Sequence, residues 1–317
     1  MKKTKILIAG IGGVGGFFGG KLAAFYKSNP EVEISFLVRG PHLEKIREKG
    51  LEVRTTTGTL MAHPFHAGDQ FDSSHRFDFI FIACKSYDLE KVLHDISNNL
   101  HSNTVIIPLL NGIDHHEKIN HQFPNHAVAD ACVYIVARKI APGIIENSGN
   151  IQKLFFGFPQ KEDERLHLLF QLLVQSEIEA NLTTEIQSTV WEKYIFLSPI
   201  ACITSCYDRT IGEVLAQEDS YTDLLSLLDE ILQLANFKQI HIHPELRMKT
   251  IEKWKSLPYS STSSMHSDFK ANSSRTELES LCVYVLKELQ QYKPAEWNYG
   301  KIARILKEKS MDATGLN

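Results

Sequence analysis

Residues Lys5 to Phe25 read KILIAGIGGVGGFFGGKLAAF, and this stretch decides the fold. Ile6, Leu7, Ile8 and Ala9 form an apolar run without alternation, the pattern of a strand buried on both faces in a parallel sheet. Gly10, Gly12 and Gly15 follow in G-x-G-x-x-G spacing, and no proline interrupts a helical continuation from Val14 to Phe25. In a strand, turn and helix of this order each glycine has a task. Gly10 makes the tight turn, Gly12 lets a pyrophosphate approach the backbone, and Gly15 lets the helix pack closely on the strand. Gly10, Ile11, Gly12, Gly13, Val14 and Gly15 are therefore candidate cofactor-binding residues, with free N–H groups and the positive end of the helix dipole turned toward the phosphates. Glycine-rich turns also occur in loops without a ligand; placement directly behind a buried-type strand favours the dinucleotide reading. Lys2, Lys3 and Lys5 ahead of apolar residues imitate a secretion signal, but glycines interrupt the apolar run and no A-x-A-like cleavage site follows.

Working outward, Glu33 to Val38 reads as a second strand ending in Arg39. At that position of a dinucleotide fold an acidic residue binds the 2′-OH of NAD, whereas an arginine pairs with the 2′-phosphate of NADP. Arg39 stands there with no carboxylate beside it in sequence, which favours NADP over NAD; the alternative is a solvated arginine in a loop. Phe77 to Ala83 is another buried-type strand, with Cys84, Lys85 and Ser86 at its carboxyl end, the edge where open α/β sheets bind ligands. Lys85 is positioned to reach the cofactor or to open a loop. Thr104 to Leu110 reads as the next strand and ends in Asn111-Gly112, a ligand-facing edge or simply a common turn pair. Further helices are expected at Pro41 to Lys49, Asp88 to Asn98 and Lys161 to Gln175, with extended segments at Leu51 to Ala62, His126 to Arg138, Gly143 to Gly157 and Glu177 to Asn181.

From Thr183 onward helical periodicity replaces the alternation of strand and helix. Helices are expected over Ile186 to Ala201, Tyr221 to Asn236, Pro244 to Trp254 and Thr276 to Tyr292, with a polar stretch at Ser260 to Ser267. The fold class is thus α/β: an N-terminal Rossmann-like dinucleotide-binding domain over residues 1–182, followed by an all-helical C-terminal domain over 183–317.

Composition sets bounds on function. At 317 residues and 43% hydrophobic content the chain can build about two domains with sizeable cores. A net charge of −4 gives no sequence-independent pull toward nucleic acid or anionic lipid, and no apolar run approaches the roughly 20 residues that span a bilayer. Cys84, Cys132, Cys202, Cys206 and Cys282 are odd in number and contain no C-x-x-C, against a disulfide framework or structural zinc and in keeping with a reducing cytoplasm. His115-His116 and the pair His241 and His243 lack H-E-x-x-H spacing, so no metal is expected. The C-terminal helices could bury an apolar face within the monomer or against a second copy, which leaves a homodimer open.

The order GIGGVG, LVRG, CKS, LLNG, WEK and SSM-x-x-D followed by RTE resembles the ketopantoate reductase (2-dehydropantoate 2-reductase) family from Ile6 to about Ser280. The resemblance implies NADPH-dependent reduction of ketopantoate to pantoate, a step of pantothenate biosynthesis. In it, Gly10 to Gly15 cradle the pyrophosphate, Arg39 and Lys85 hold the 2′-phosphate, and Asn111 contacts the nicotinamide side. Ala137 matches an alanine whose backbone meets the cofactor. Lys193 of Trp191-Glu192-Lys193 matches the proton donor, Ser264 a substrate-binding serine, and Glu277 an acidic residue near cofactor and substrate. A lysine suits the reduction of a 2-keto acid, because its ammonium both stabilises the alkoxide that forms as hydride arrives and protonates it, with an ordinary pKa of about 10.4.

The chain departs from the family pattern at three asparagine positions and at Cys282, where a glycine is usual. Asparagines usual four and eight residues after the lysine are replaced by Leu197 and Ala201, and a third is replaced by Ile211 before Gly212-Glu213. Amides that would hydrogen-bond a polar substrate are absent, which predicts weaker affinity for a hydroxylated one. Ser198, Thr204 or Ser205 are the polar residues that could compensate from a shifted helix face. Two other functions stay open: an NADPH-dependent reductase of another 2-keto acid, and a catalytically silent NADPH-binding redox sensor.

Overall fold

The computed structural model describes residues 3–293 and 296–314. Chain contacts divide it into one unit of Met1–Leu110 with His115–Ile186 and another of Asn111–Asp114 with Gln187–Asn317. The units therefore part at Ile186, and the four residues after Leu110 go with the second unit, a short excursion that the division at 182/183 does not contain.

The first unit runs β1 (Thr4–Ala9), α1 (Gly13–Phe25), β2 (Val32–Leu37), α2 (Gly40–Lys49), β3 (Leu51–Thr55), β4 (Gly58–Ala62), β5 (His66–Gly68), β6 (Phe77–Ile82), α3 (Leu89–Ile96), β7 (Leu100–Pro108), α4 (His115–Gln122), β8 (Ala127–Val128), β9 (Asp130–Ala141), β10 (Ile144–Gly157), α5 (Glu164–Gln175) and β11 (Glu179–Leu182). Six strands form a wholly parallel sheet in the order β5-β2-β1-β6-β7-β8. With β1 in its interior, Ile6 and Ile8 enter one core while Leu7 and Ala9 enter the other. That two-sided burial is why the opening run carries no polar alternation. α3 and α4 cover one face through Leu89, Val92, Leu93, Ile96 and Ile119.

α1 covers the other face and is itself covered by a second sheet, β11-β10-β3-β4 with β9 antiparallel to β10. A helix between two sheets is apolar all round. Its glycines allow that approach, since a methyl at Gly16 would meet Ile145 at 2.5 Å and one at Gly19 would meet Ile8 at 2.9 Å. The close packing offsets the low helix propensity of glycine, about 1 kcal/mol each relative to alanine.

The second unit is helical: α6 (Ile186–Tyr207), α7 (Ile211–Ala216), α8 (Glu218–Phe237), α9 (Leu246–Lys255), α10 (Ser264–Lys270), a π-helical turn (Glu279–Val283) continuing into α11 (Tyr284–Tyr292), and α12 (Asn298–Thr314). Its core gathers Ile195, Leu227, Leu228, Ile231, Trp254, Val285 and Ile302. α6 is six residues longer than the sequence reading, which ended it at Ala201, and it continues through Pro199. The proline removes one rung of the ladder. Near it the Trp254 indole N–H donates to the Phe196 carbonyl at 3.1 Å, fastening α9 to α6.

The π turn explains a second feature of α6. Widening the helix to an i→i+5 pattern turns carbonyls away from the regular ladder, and two of them are taken up by side chains of one α6 face. Tyr194 Oη donates to the Ser280 carbonyl at 2.7 Å, and Ser198 Oγ to the Leu281 carbonyl at 2.6 Å. Cys202 Sγ also reaches the Leu281 carbonyl, at 3.6 Å. Residues 194, 198 and 202 are four apart and share a face. Lys193, Leu197 and Ala201 occupy the neighbouring one.

Candidate functional site

In the first unit the glycine loop joins β1 to α1, and its backbone has the shape the spacing predicts. Gly10 has φ +99°, a conformation that side chains strain against. A methyl on Gly15 would lie 2.0 Å from the Gly10 carbonyl oxygen, so helix and loop touch directly. Gly12 is the N-cap of α1, no side chain caps the first turn, and a methyl on Gly12 would meet no atom within 4 Å. A helix start without a side-chain cap and with open space at Gly12 is compatible with a phosphate group. Gly13 and Ala137 are brought together: a methyl on Gly13 would lie 2.0 Å from the Ala137 carbonyl oxygen. β9 therefore seats the start of α1, a role for Gly13 that lies outside the consensus glycines.

His42 of α2 fixes the same loop. Its Nε2–H donates to the Ile11 carbonyl at 2.8 Å, while Nδ1 accepts the Gly143 N–H at 2.7 Å. The second bond needs the neutral ring, because a protonated Nδ1 cannot accept. Burial, with a smaller push from Lys139, holds the imidazole below its ordinary value against the opposing Ile11 bond. The unfolded chain takes up the proton near pH about 6.5 and the folded chain only at lower pH, so the unfolded state binds more protons in that window and stability falls as pH drops through it. Unfolding midpoints in urea, measured from about pH 7.5 down to about pH 5, are expected to decline less steeply for His42→Gln than for wild type. Parallel curves would remove His42 as a source of acid sensitivity.

Arg39 is the extended N-cap of α2, at the end of β2. Its guanidinium pairs with Asp95 of α3, a partner 56 residues away that local sequence does not announce. Lys85 stands at the carboxyl end of β6, as the N-cap of a single 3-10 turn over Ser86–Asp88. The histidine pair considered for metal has another use: His116 Nδ1 lies 2.7 Å from Asp130 Oδ1, and the Asp130 carboxylate raises the His116 pKa. Among the described residues no group of three His, Cys, Asp or Glu could hold a metal ion, and no helix is long and apolar enough to cross a membrane.

In the second unit Lys193, on α6, donates from Nζ to Asn111 Oδ1 at 2.9 Å. The segment that carries Asn111 is tied down by Asp114, whose Oδ2 accepts the Ser280 hydroxyl at 3.1 Å within the π turn. Asp114 and Ser280 are both buried, so Asn111 is presented to the ammonium by a fixed loop. Ser264 opens α10 behind the Ser263 cap and lies 3.5 Å, Oγ to Oε2, from Glu277, which is only 2% exposed. The candidate residues of this unit thus form two pairs, Lys193 with Asn111 and Ser264 with Glu277. Sequence reasoning had assigned Asn111 to the cofactor and missed both its bond to Lys193 and the part of Asp114.

The three substituted positions are apolar in space as well as in sequence. Ala201 is fully buried and Ile211 nearly so, both in the helical core, while Leu197 is partly buried against it. The hydroxyls that could compensate are bonded within the helical unit. Ser198 is spent on the Leu281 carbonyl and the Tyr299 hydroxyl, Thr204 on the Ile200 carbonyl and Ser263, and Ser205 on the Ala201 carbonyl. Each is buried.

Residues 6–161 match the family model described as ketopantoate reductase PanE/ApbA, and residues 185–308 match its C-terminal model. The chain is 28% identical over 290 residues to the uncharacterized oxidoreductase YkpB of Bacillus subtilis (strain 168), covering 90% of this chain and 92% of that one. It is 30% identical to the 2-dehydropantoate 2-reductase of Porphyromonas gingivalis W83, whose crystal structure matches with a TM-score of 0.83 over 96% of this chain and 99% of the other. D-mandelate dehydrogenase, in a ternary structure with NADH and anilino(oxo)acetate, shares the fold at 20% identity, with a TM-score of 0.85 over 98% and 99% of the two chains.

Proposed function

Because this chain belongs to the ketopantoate reductase family, whose members are dinucleotide-binding oxidoreductases, we propose that it reduces a 2-keto acid with NADPH, ketopantoate being the default substrate. The observation that carries this reading is the 2.9 Å bond from Lys193 Nζ to Asn111 Oδ1. Accepting one of the three ammonium protons, Asn111 fixes the direction of the other two without neutralising the charge. Lys193 then stabilises the developing alkoxide and delivers a proton to that oxygen. NADPH, when bound, supplies the hydride from C4 of its nicotinamide. In this reading the Gly10 to Gly15 loop holds the pyrophosphate through backbone N–H groups, Ala137 backs the loop, and Arg39 and Lys85 meet the 2′-phosphate. Ser264 orients the substrate, and Glu277, beside it, fixes that hydroxyl.

A second reading rests on Leu197, Ala201 and Ile211. With amides absent and the nearby hydroxyls engaged elsewhere, the substrate side offers little to a hydroxylated chain, so a 2-keto acid with a branched apolar side chain suits it better. Apolar surroundings reject an added hydroxyl only weakly, by about a hundredfold at most, so both substrates are expected to turn over. Initial rates of NADPH oxidation with ketopantoate, a branched apolar 2-keto acid and an aromatic one test the proposal. The expected outcome is a kcat/KM for the branched apolar acid at least equal to that for ketopantoate. No turnover with any of the three would leave NADPH binding without reduction and exclude the reductase.

A further inference from the structure

Arg39 and Asp95 place two opposed recognition signals at one spot. The carboxyl end of β2 is where the cofactor class is read, an acid serving the ribose hydroxyls of NADH and an arginine the 2′-phosphate of NADPH. In this chain the arginine stands two residues past the end of β2, but the acid arrives from another element: Asp95, in the last turn of α3, pairs with the Arg39 guanidinium. Its place is not explained by helix stability, since a carboxylate at the C-terminal end of a helix faces the negative end of the dipole. Both side chains reach solvent, Arg39 being 41% and Asp95 19% exposed, so a ligand can approach the pair.

We propose that Asp95 sets the discrimination between NADPH and NADH, opposing the 2′-phosphate that Arg39 attracts and leaving a ribose hydroxyl acceptable in its place. The inference rests on the dinucleotide reading of the glycine loop and adds to it a residue that chooses the cofactor. A 2′-phosphate entering beside Arg39 meets the Asp95 carboxylate as a like charge and competes with it for the guanidinium N–H groups. A 2′-hydroxyl carries no charge and can donate to that carboxylate. The chain is thus set to use both cofactors, with a preference for NADPH narrower than Arg39 alone would give.

Dissociation constants for NADPH and for NADH, measured by fluorescence titration of wild type, Asp95→Asn and Arg39→Ala, test this. Asp95→Asn is expected to tighten NADPH by about tenfold, the effect of one screened like charge near a protein surface, and to leave NADH unchanged or weaker. Arg39→Ala is expected to weaken NADPH and spare NADH. If both cofactors bind wild type and their ratio is the same in Asp95→Asn, or moves toward NADH, the assignment of Asp95 is overturned while the dinucleotide reading stands. If wild type binds neither, the dinucleotide reading fails and the proposal with it.

Discussion

Replacing Lys193 with alanine is expected to lower kcat by about a thousandfold, within the range for losing a positioned general acid that also carries charge, while the dissociation constant for NADPH stays unchanged. The two effects separate because Lys193 belongs to the helical unit, where its bond runs to Asn111, whereas the phosphate cradle belongs to the first unit. The proton and the charge can also be told apart. Lys193→Arg keeps the positive charge, but a guanidinium does not give up a proton at working pH. If proton delivery is the larger part, the arginine variant recovers little of the lost rate; if charge is the larger part, it recovers most. Steady-state rates with saturating NADPH, on whichever 2-keto acid proves the better substrate, decide between these outcomes. Turnover by Lys193→Ala equal to that of wild type would remove the residue from the chemistry altogether.

The legible parts of this chain were those in which one local physical demand dominates. β1, β6 and the second half of β7 announce themselves because both faces are buried there and nearly every residue is apolar, and the glycine loop because Gly10 has a positive φ and Gly13 and Gly15 leave no room for a methyl. What was hidden depends on partners remote in sequence. α4 and α10 are short and rich in polar residues, and α10 is capped by Ser263 and buries Met265 and His266. The expected helix from Thr276 opens as a π turn, which Tyr194 and Ser198, more than eighty residues earlier, stabilise by taking its carbonyls. At the site, Lys193 and Asn111 were each named from short motifs, but the bond between them spans 82 positions. Asp95 was invisible for the same reason: read along the chain, it is one more surface acid on a helix.

Gly12 and Gly13 adjoin in sequence, and their alanine variants are expected to fail in opposite ways. At Gly13 a methyl would sit 2.0 Å from the Ala137 carbonyl oxygen and 2.5 Å from the carbon. Both are backbone atoms of β9, which cannot turn aside as a side chain would. The insertion must move α1 or β9, and since α1 lies between two sheets either movement disturbs a core. Overpacking against side chains costs about 1–3 kcal/mol, so against backbone Gly13→Ala is expected to exceed that range, seen as a large drop in the urea midpoint. At Gly12 a methyl would meet nothing within 4 Å, and φ −88° with ψ −156° is extended backbone that alanine adopts freely. Stability of Gly12→Ala is therefore expected to stay within about 0.5 kcal/mol of wild type. On the proposed dinucleotide reading that space receives a pyrophosphate, and the same variant is then expected to weaken NADPH by tenfold or more, roughly the loss of one good phosphate contact to backbone. Gly12→Ala that is stable and binds NADPH like wild type would show that the loop holds no pyrophosphate, and a fully stable Gly13→Ala would show that β9 does not seat the helix.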